Sequence, residues 1–244
     1  MKLLLLAGSG EARRIAQALA GMRGVEAIAS LAGTTRQPAD LCLPTRVGGF
    51  GGAKGFEEYM RAGRIEAVLD ATHPFAARIT ARTAAVCKVL GLPHAVVLRP
   101  EWQPGPGDDW RFIDHEEEAA GFIPPGTTVF LGTGVQGLQG FANLAGHRVI
   151  CRRIDEPRNP FPFAGGEYLV GRPPFSVEDE IALFRQLGVD WLVVKNSGGT
   201  PSRSKLDAAR ALGIKVALLR RPAPPEARIL QSVEGALDWV RGLA

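Results

Sequence analysis

Short apolar runs alternate with helical stripes along this chain. Lys2-Leu3-Leu4-Leu5-Leu6-Ala7 is apolar after its lysine, the pattern of a parallel strand covered on both faces. Gly8-Ser9-Gly10 follows, and then Glu11–Ala20 places Ala12, Ile15, Ala16 and Leu19 on one helical face. Val25–Ala29 reads as a second strand and Ala67–Leu69 as a third. Between them Thr45-Arg46-Val47 runs into Gly48-Gly49-Phe50-Gly51-Gly52, with a helix predicted near Ala53–Ala62. A helix from Ala76 to about Val89 leads through Gly91-Leu92-Pro93 to a strand at Ala95–Leu98.

The same alternation resumes after a Pro/Gly-rich break at Arg99–Trp110. Strands are predicted near Arg111–Ile113 and at Thr128–Leu131, His147–Cys151, Asp190–Val194 and Lys215–Leu219. Helices are predicted near Glu116–Phe122, Gln136–Ala145, Ser202–Leu212 and Val233–Leu243. Ser176, with Asp179 three residues on, marks one more helix start. Residues 152–175 are rich in Arg, Pro, Gly and Phe and show little periodicity; a segment of that length is more often functional than idle. The β-α-β-α order predicts an α/β protein: two Rossmann-like domains with mostly parallel sheets and right-handed crossovers. The expected division is residues 1–98, a linker at 99–110, and a second domain at 111–244. No convincing sequence repeat joins the halves.

Composition narrows the class. The chain has 244 residues, 45% of them apolar, and no run approaches the ~18 consecutive apolar residues of a membrane span. Leu3–Leu6 is too short for a signal-peptide core, so a cytoplasmic protein with no membrane partner is expected. Cys42, Cys87 and Cys151 are isolated, which supports neither a disulfide framework nor a metal site. The net charge of +4 is uneven: residues 1–98 hold 12 Lys/Arg against 7 Asp/Glu. That favours an anionic ligand in the first half. No basic stripe interleaved with aromatics is present to suggest nucleic acid.

The candidate chemistry lies where strands end. Gly8, Ser9 and Gly10 sit between a strand and a helix, where N–H groups and the positive helix end suit a phosphate. The alternative is an ordinary strand–helix turn. Ser30, Thr34, Thr35 and Arg36 follow the second strand, where an NAD site usually has a carboxylate. Hydroxyls and a guanidinium there suit a 2′-phosphate, and Arg14 could join them. Four glycines in five residues, Gly49 and Gly51 among them, let backbone approach a bulky ligand or simply form a flexible loop. Asp70-Ala71-Thr72-His73-Pro74-Phe75-Ala76 puts a carboxylate, a hydroxyl and an imidazole at another strand end. Asp70 is expected to cap the turn. His73 has three readings: proton donor, positioning group or turn residue. In the second half Gly132-Thr133-Gly134 and Lys195-Asn196-Ser197-Gly198-Gly199 both follow strands and suit carboxylates. Lys195 is either a substrate contact or structural. Arg152, Arg153 and Arg158 either neutralise substrate or pair with Asp155 and Glu156.

Four stretches carry a resemblance: Leu-Ala-Gly-Ser-Gly-Glu-Ala at 6–12, Gly-Gly-Phe-Gly-Gly at 48–52, Asp-Ala-Thr-His-Pro-Phe-Ala at 70–76 and Val-Lys-Asn-Ser-Gly-Gly at 194–199. Together they resemble the precorrin-6A reductase family of cobalamin biosynthesis, over the whole chain and in order. The family commonly begins Gly-Gly-Thr-x-Glu-Ala; Ala7 and Ser9 depart from it, and Ser9 keeps the hydroxyl. The resemblance implies hydride transfer from NADPH to one double bond of a tetrapyrrole, precorrin-6A, giving precorrin-6B, in a cleft between the domains. Cofactor contacts are expected from Gly8, Ser9, Gly10, Glu11, Arg14, Ser30, Thr34, Thr35, Arg36, Thr72 and His73, with His73 also the candidate catalytic residue. Substrate contacts are expected from Gly49, Gly51, Thr133, Gly134, Lys195, Ser197, Gly198 and Gly199, with no metal. Transient contact with neighbouring pathway enzymes is a further expectation. Rival readings are a reductase of cobalt-precorrin-6A and a non-catalytic NADP-binding sensor. A short-chain reductase is disfavoured because neither Tyr59 nor Tyr168 has a lysine four residues on.

Overall fold

The computed structural model describes residues 1–33, 40–200 and 202–244. Thr34, Thr35 and Arg36 lie outside the described residues. The chain forms two compact units, Met1–Pro100 with Pro222–Ala244, and Glu101–Arg221.

The first unit is a six-stranded parallel sheet. Its strands are β1 (Lys2–Ala7), β2 (Glu26–Leu31), β3 (Thr45–Val47), β4 (Ala67–Ala71), β5 (His94–Val97) and β12 (Arg228–Leu230), in the order β12-β5-β4-β1-β2-β3. The unbroken leucines of β1 have a simple cause. Leu3 and Leu5 pack toward α1 (Gly10–Leu19) and α6 (Val233–Arg241), with Ile15, Leu19, Trp239 and Val240. Leu4 and Leu6 pack on the other face, with Phe56 and Met60 of α2 (Gly52–Ala62) and Val86 and Cys87 of α3 (Ala77–Leu90). A strand covered on both sides needs no polar face.

The second unit is also a six-stranded parallel sheet. Its strands are β6 (Trp110–Ile113), β7 (Thr128–Leu131), β8 (Arg148–Arg153), β9 (Gly166–Val170), β10 (Trp191–Lys195) and β11 (Lys215–Leu219), in the order β6-β11-β10-β7-β8-β9. Helices α4 (Val177–Leu187) and α5 (Ser204–Leu212) cover one face through Phe184, Leu206, Ala208 and Ala209. Ser176 and Asp179 cap α4 reciprocally, as its sequence predicts.

The two sheets share one winding. In each, the strands run parallel from the centre to one edge (β1-β2-β3 and β7-β8-β9), and the next strand is added on the other side of the first, so the order of winding reverses between β1 and β4 in one unit and between β7 and β10 in the other. The sixth strand is supplied differently: β12 comes from the chain's end, and β6 precedes the second run.

That difference corrects the expected division. Residues 222–244 belong with the first sheet, not the second. β12 continues the sheet beside β5, and α6 buries Val233, Ala236, Trp239 and Val240 in the first core. The stretch 99–110 is also more than a linker: Trp102 is buried in the second core and Asp108 holds Arg210 through both carboxylate oxygens. The predicted helices near Glu116–Phe122 and Gln136–Ala145 are 3-10 segments, at Glu116–Gly121 and Leu138–Leu144. Glycine explains the second. Gly137 has φ +83°, and a Cβ at Gly140 would lie 2.8 Å from Glu116 Cβ, so close packing of the two segments needs glycine where an α-helix disfavours it. Strands β3, β9 and β12 are short edge or near-edge pieces with no periodicity long enough to read.

Candidate active site

In a doubly wound sheet, ligands bind beyond the carboxyl ends of the strands where the winding reverses. In the first unit that point lies between β1 and β4. It brings Gly8-Ser9-Gly10 and Asp70–Ala76 together, two stretches far apart in sequence. Ser9 joins them. Its Oγ donates to the Ala71 carbonyl at 2.8 Å and accepts the Ala12 N–H at 3.1 Å, which makes Ser9 the N-cap of α1. A Cβ at Gly8 would stand 3.6 Å from Thr72 Cα and 3.7 Å from His73 N, so the turn passes directly against the second motif. A Cβ at Gly10 would meet only open space, which leaves this helix end approachable.

Asp70 is fully buried at the end of β4. Its Oδ1 accepts the Thr72 N–H at 2.9 Å and the Thr72 hydroxyl at 2.6 Å, so Asp70 caps the turn as expected. Thr72 Oγ1 lies 3.4 Å from Thr80 Oγ1 of α3. Asp70 Oδ2 has no hydrogen-bond partner among the described residues. Burial, and then the nearby Asp70 charge, push the Cys87 thiol up to about 12. Burial pulls His94 below its ordinary value, with Asp70 opposing.

His73 is exposed, and its Nδ1 accepts the Phe75 N–H at 3.3 Å. Together with the Ala76 N–H donated to the His73 carbonyl at 2.8 Å, this fixes the ring within its own turn. A groove open to solvent borders it. Thr72, His73, Pro74, Ala77 and Thr80 form one wall; Val96–Leu98 and Pro222–Pro225 form the other. The proline wall comes from the returning C-terminal segment.

Glu11 lies in the first turn of α1, and its carboxylate meets Arg99 Nη1 at 2.6 Å with both side chains largely buried. The pair cancels an acid that would repel a phosphate at that helix end. Arg14 is exposed on α1. Ser30, at the end of β2, accepts from Arg46 Nη1 at 2.9 Å. Arg46 was absent from the sequence-derived set. It also donates to the carbonyls of Gly48 at 2.8 Å and Gly49 at 2.9 Å, and its guanidinium lies 3.8 Å from the Phe50 ring centre. One arginine thus ties Ser30 to the glycine loop containing Gly49 and Gly51. The parallel register Ser30↔Arg46 is the missing signal, and it is invisible until β3 is known to pair with β2.

In the second unit the winding reverses between β7 and β10. Gly132-Thr133-Gly134 and Lys195–Gly199 meet there, with the Gly132 N–H donated to the Val193 carbonyl at 2.8 Å. Lys195 Nζ donates to the Gln136 carbonyl at 3.3 Å, and burial lowers its pKa against opposing Glu116 and Cys151. Asn196 has a structural role: its Oδ1 accepts from Trp102 N and its Nδ2 donates to Trp102 O. The Trp102 ring N–H donates to Gly199 O at 2.8 Å. Gly198 and Gly199 have φ of +64° and +76°, a turn open to glycine and strained for other residues. Thr133 and Ser197 are buried. Arg152 is committed to Glu180, and Asp155 pairs with Arg172. Among the described residues no group of His, Cys, Asp or Glu is placed to hold a metal, and no helix is long and apolar enough to cross a membrane.

A family model described as "Precorrin-6x reductase CbiJ/CobK" matches residues 2–241. The chain belongs to the precorrin-6x reductase family. It is 46% identical to a precorrin-6A reductase of Rhodococcus erythropolis over 98% of this chain and 97% of that one. It is 42% identical to a precorrin-6A reductase of Mycobacterium tuberculosis over 99% and 98%. A solved structure titled "CobK precorrin-6A reductase" superposes with a TM-score of 0.94 at 37% identity, covering 99% of this chain and 96% of the other.

Proposed function

We propose that this chain reduces one double bond of precorrin-6A with NADPH, giving precorrin-6B in cobalamin biosynthesis. The observation that carries the reading is the near full-length 46% identity to a protein named precorrin-6A reductase. Two strand-end sites that suit anions support it.

When bound, NADPH supplies the hydride; the protein binds, orients and excludes water. The Gly8–Gly10 turn and the α1 amides take the diphosphate, with Glu11 neutralised by Arg99. Ser30, held by Arg46, and the basic loop with Thr34, Thr35 and Arg36 take the adenosine 2′-phosphate. The groove beside Thr72, Thr80 and the prolines takes the nicotinamide end. His73, fixed by its turn, positions rather than donates a proton. Asp70 sets the Thr72 hydroxyl and is not a base. Thr133, Gly134, Lys195 and Ser197–Gly199 take substrate carboxylates.

The test is to mix the protein with NADPH and precorrin-6A and to follow NADPH absorbance together with the pigment spectrum. Coupled loss of NADPH and a shifted pigment spectrum are expected. Tight NADPH binding without turnover would instead indicate a sensor, and turnover confined to cobalt-precorrin-6A would move the substrate to the cobalt series.

A further inference from the structure

Lys205, the second residue of α5, is a charged side chain that none of the motifs includes. Its stem crosses the Gly132 turn: a Cβ at Gly132 would lie 3.3 Å from Lys205 Cδ and 3.6 Å from its Cε. A larger residue at 132 would press on this side chain and, at 3.0 Å, on Val194 Cγ1. The side chain is half-buried, and Nζ donates to the Ser202 carbonyl at 2.8 Å.

Lys205 is the second cation beside a single acid. Glu180 of α4 is the nearby acid, but both its oxygens are engaged by Arg152 of β8, at 2.8 Å and 2.5 Å. Arg152 is itself enclosed, with Phe130 and Phe175 rings 4.8 Å and 4.3 Å from its guanidinium carbon. The cluster therefore has two cations for one carboxylate. Lys205 also sits at the N-terminal end of α5, where the helix dipole disfavours positive charge. An ammonium has three protons to donate, and among the described residues one carbonyl, that of Ser202, accepts. In keeping with this, burial brings Lys205 down to about 8, with Arg152 adding to the effect and Glu180 opposing it. Glycine turn, helix end and ammonium all favour an anion at one place.

We propose that Lys205 is a carboxylate anchor for the tetrapyrrole, its ammonium pairing with a substrate side-chain carboxylate at the Gly132–Gly134 turn. Lys195 binds the other end of the same segment, at Gln136. Two lysines at the two ends of a five-residue turn suit a substrate with several flexible carboxylates. The proposal rests on the precorrin-6A reading above.

The experiment measures precorrin-6A binding by quenching of tryptophan fluorescence, with steady-state kinetics, for the wild type, Lys205→Met and Lys205→Arg. Lys205→Met is expected to raise the Kd and KM for precorrin-6A about tenfold or more, the value of a charge-assisted hydrogen bond. Its Kd for NADPH stays unchanged, and Lys205→Arg retains most of the binding. If Lys205→Met does not fold, Lys205→Gln serves as the neutral variant. A wild type that turns over precorrin-6A beside a neutral variant with unchanged KM overturns the anchor and leaves the function intact. Equal weakening of NADPH and tetrapyrrole binding also overturns it, since that marks general damage. A wild type that neither binds nor reduces precorrin-6A removes the functional reading, and the anchor with it.

Discussion

Ser9 and Ala71 are joined by a 2.8 Å hydrogen bond that ties the start of α1 to the end of β4. The same hydroxyl accepts the Ala12 N–H, so one atom both caps the helix and fixes it to the neighbouring strand. Ser9→Ala is expected to cost about 1 kcal/mol of stability as a lost N-cap. It is also expected to raise the KM for NADPH while kcat changes little, because the helix end proposed to hold the diphosphate is loosened. Ser9→Thr keeps the hydroxyl and restores both. Urea unfolding and NADPH titration of the two variants check this.

Arg99 is the partner of a buried acid at the same helix end. Replacing it with Leu leaves the Glu11 carboxylate without its cation, and breaking a buried pair in this way costs about 3–5 kcal/mol. With the diphosphate at the proposed place, the uncompensated charge also opposes it, so NADPH binding is expected to weaken. The double variant Glu11→Leu with Arg99→Leu is expected to regain most of the stability. A denaturant series on the three variants decides it; a double variant no better than Arg99→Leu alone would contradict the pairing argument.

Much of the fold, and the Asp70 cap of the candidate site, was legible in the sequence for reasons of range. The β1 leucines, the Asp70 cap and the Ser176–Asp179 capping box depend on residues a few positions apart. What stayed hidden depends on distant pairings. The Ser30–Arg46 bond needs β3 to pair with β2, and the Gly132–Lys205 crossing needs α5 to pack over the turn after β7. The return of 222–244 to the first sheet cannot be read locally either, since an amphipathic helix like α6 would suit either core.

Arg46 and Arg36 are expected to fail differently. Arg36→Ala should raise the KM for NADPH far more than that for NADH, the mark of a group that reads the 2′-phosphate. Arg46 holds Ser30 and the carbonyls of Gly48 and Gly49, so Arg46→Leu should impair both cofactors and lower stability as well. Parallel NADPH and NADH kinetics separate the two; equal effects of Arg36→Ala on both would remove it from the phosphate site.

Asp70→Asn distinguishes a cap from a base. Asn keeps an oxygen for the Thr72 N–H and hydroxyl, and it replaces a carboxylate oxygen that has no partner among the described residues. The variant is expected to fold at least as well as the wild type, with kcat within about threefold. A general base would instead be worth about 10²–10⁴ in rate. A loss of that size would return Asp70 to the chemistry.

Lys205 also sets a stability-versus-pH signature. Its ordinary value is 10.5, and burial in the fold, with Arg152 adding and Glu180 opposing, brings it to about 8. The unfolded chain therefore holds this proton more tightly than the folded one. Between about pH 8 and 10.5 the unfolded state binds more protons, so this group makes stability rise with pH across that window. Below about pH 8 both states carry the charge, and the full cost of burying it is present. Lys205→Met removes the cost. It is expected to be more stable than the wild type at neutral pH, with the advantage shrinking as the pH climbs toward 10.5. Urea midpoints of the two proteins across that range measure it. A stabilised variant with weakened tetrapyrrole binding would identify a charge kept for its ligand, whereas a variant destabilised at neutral pH would make Lys205 a structural cation.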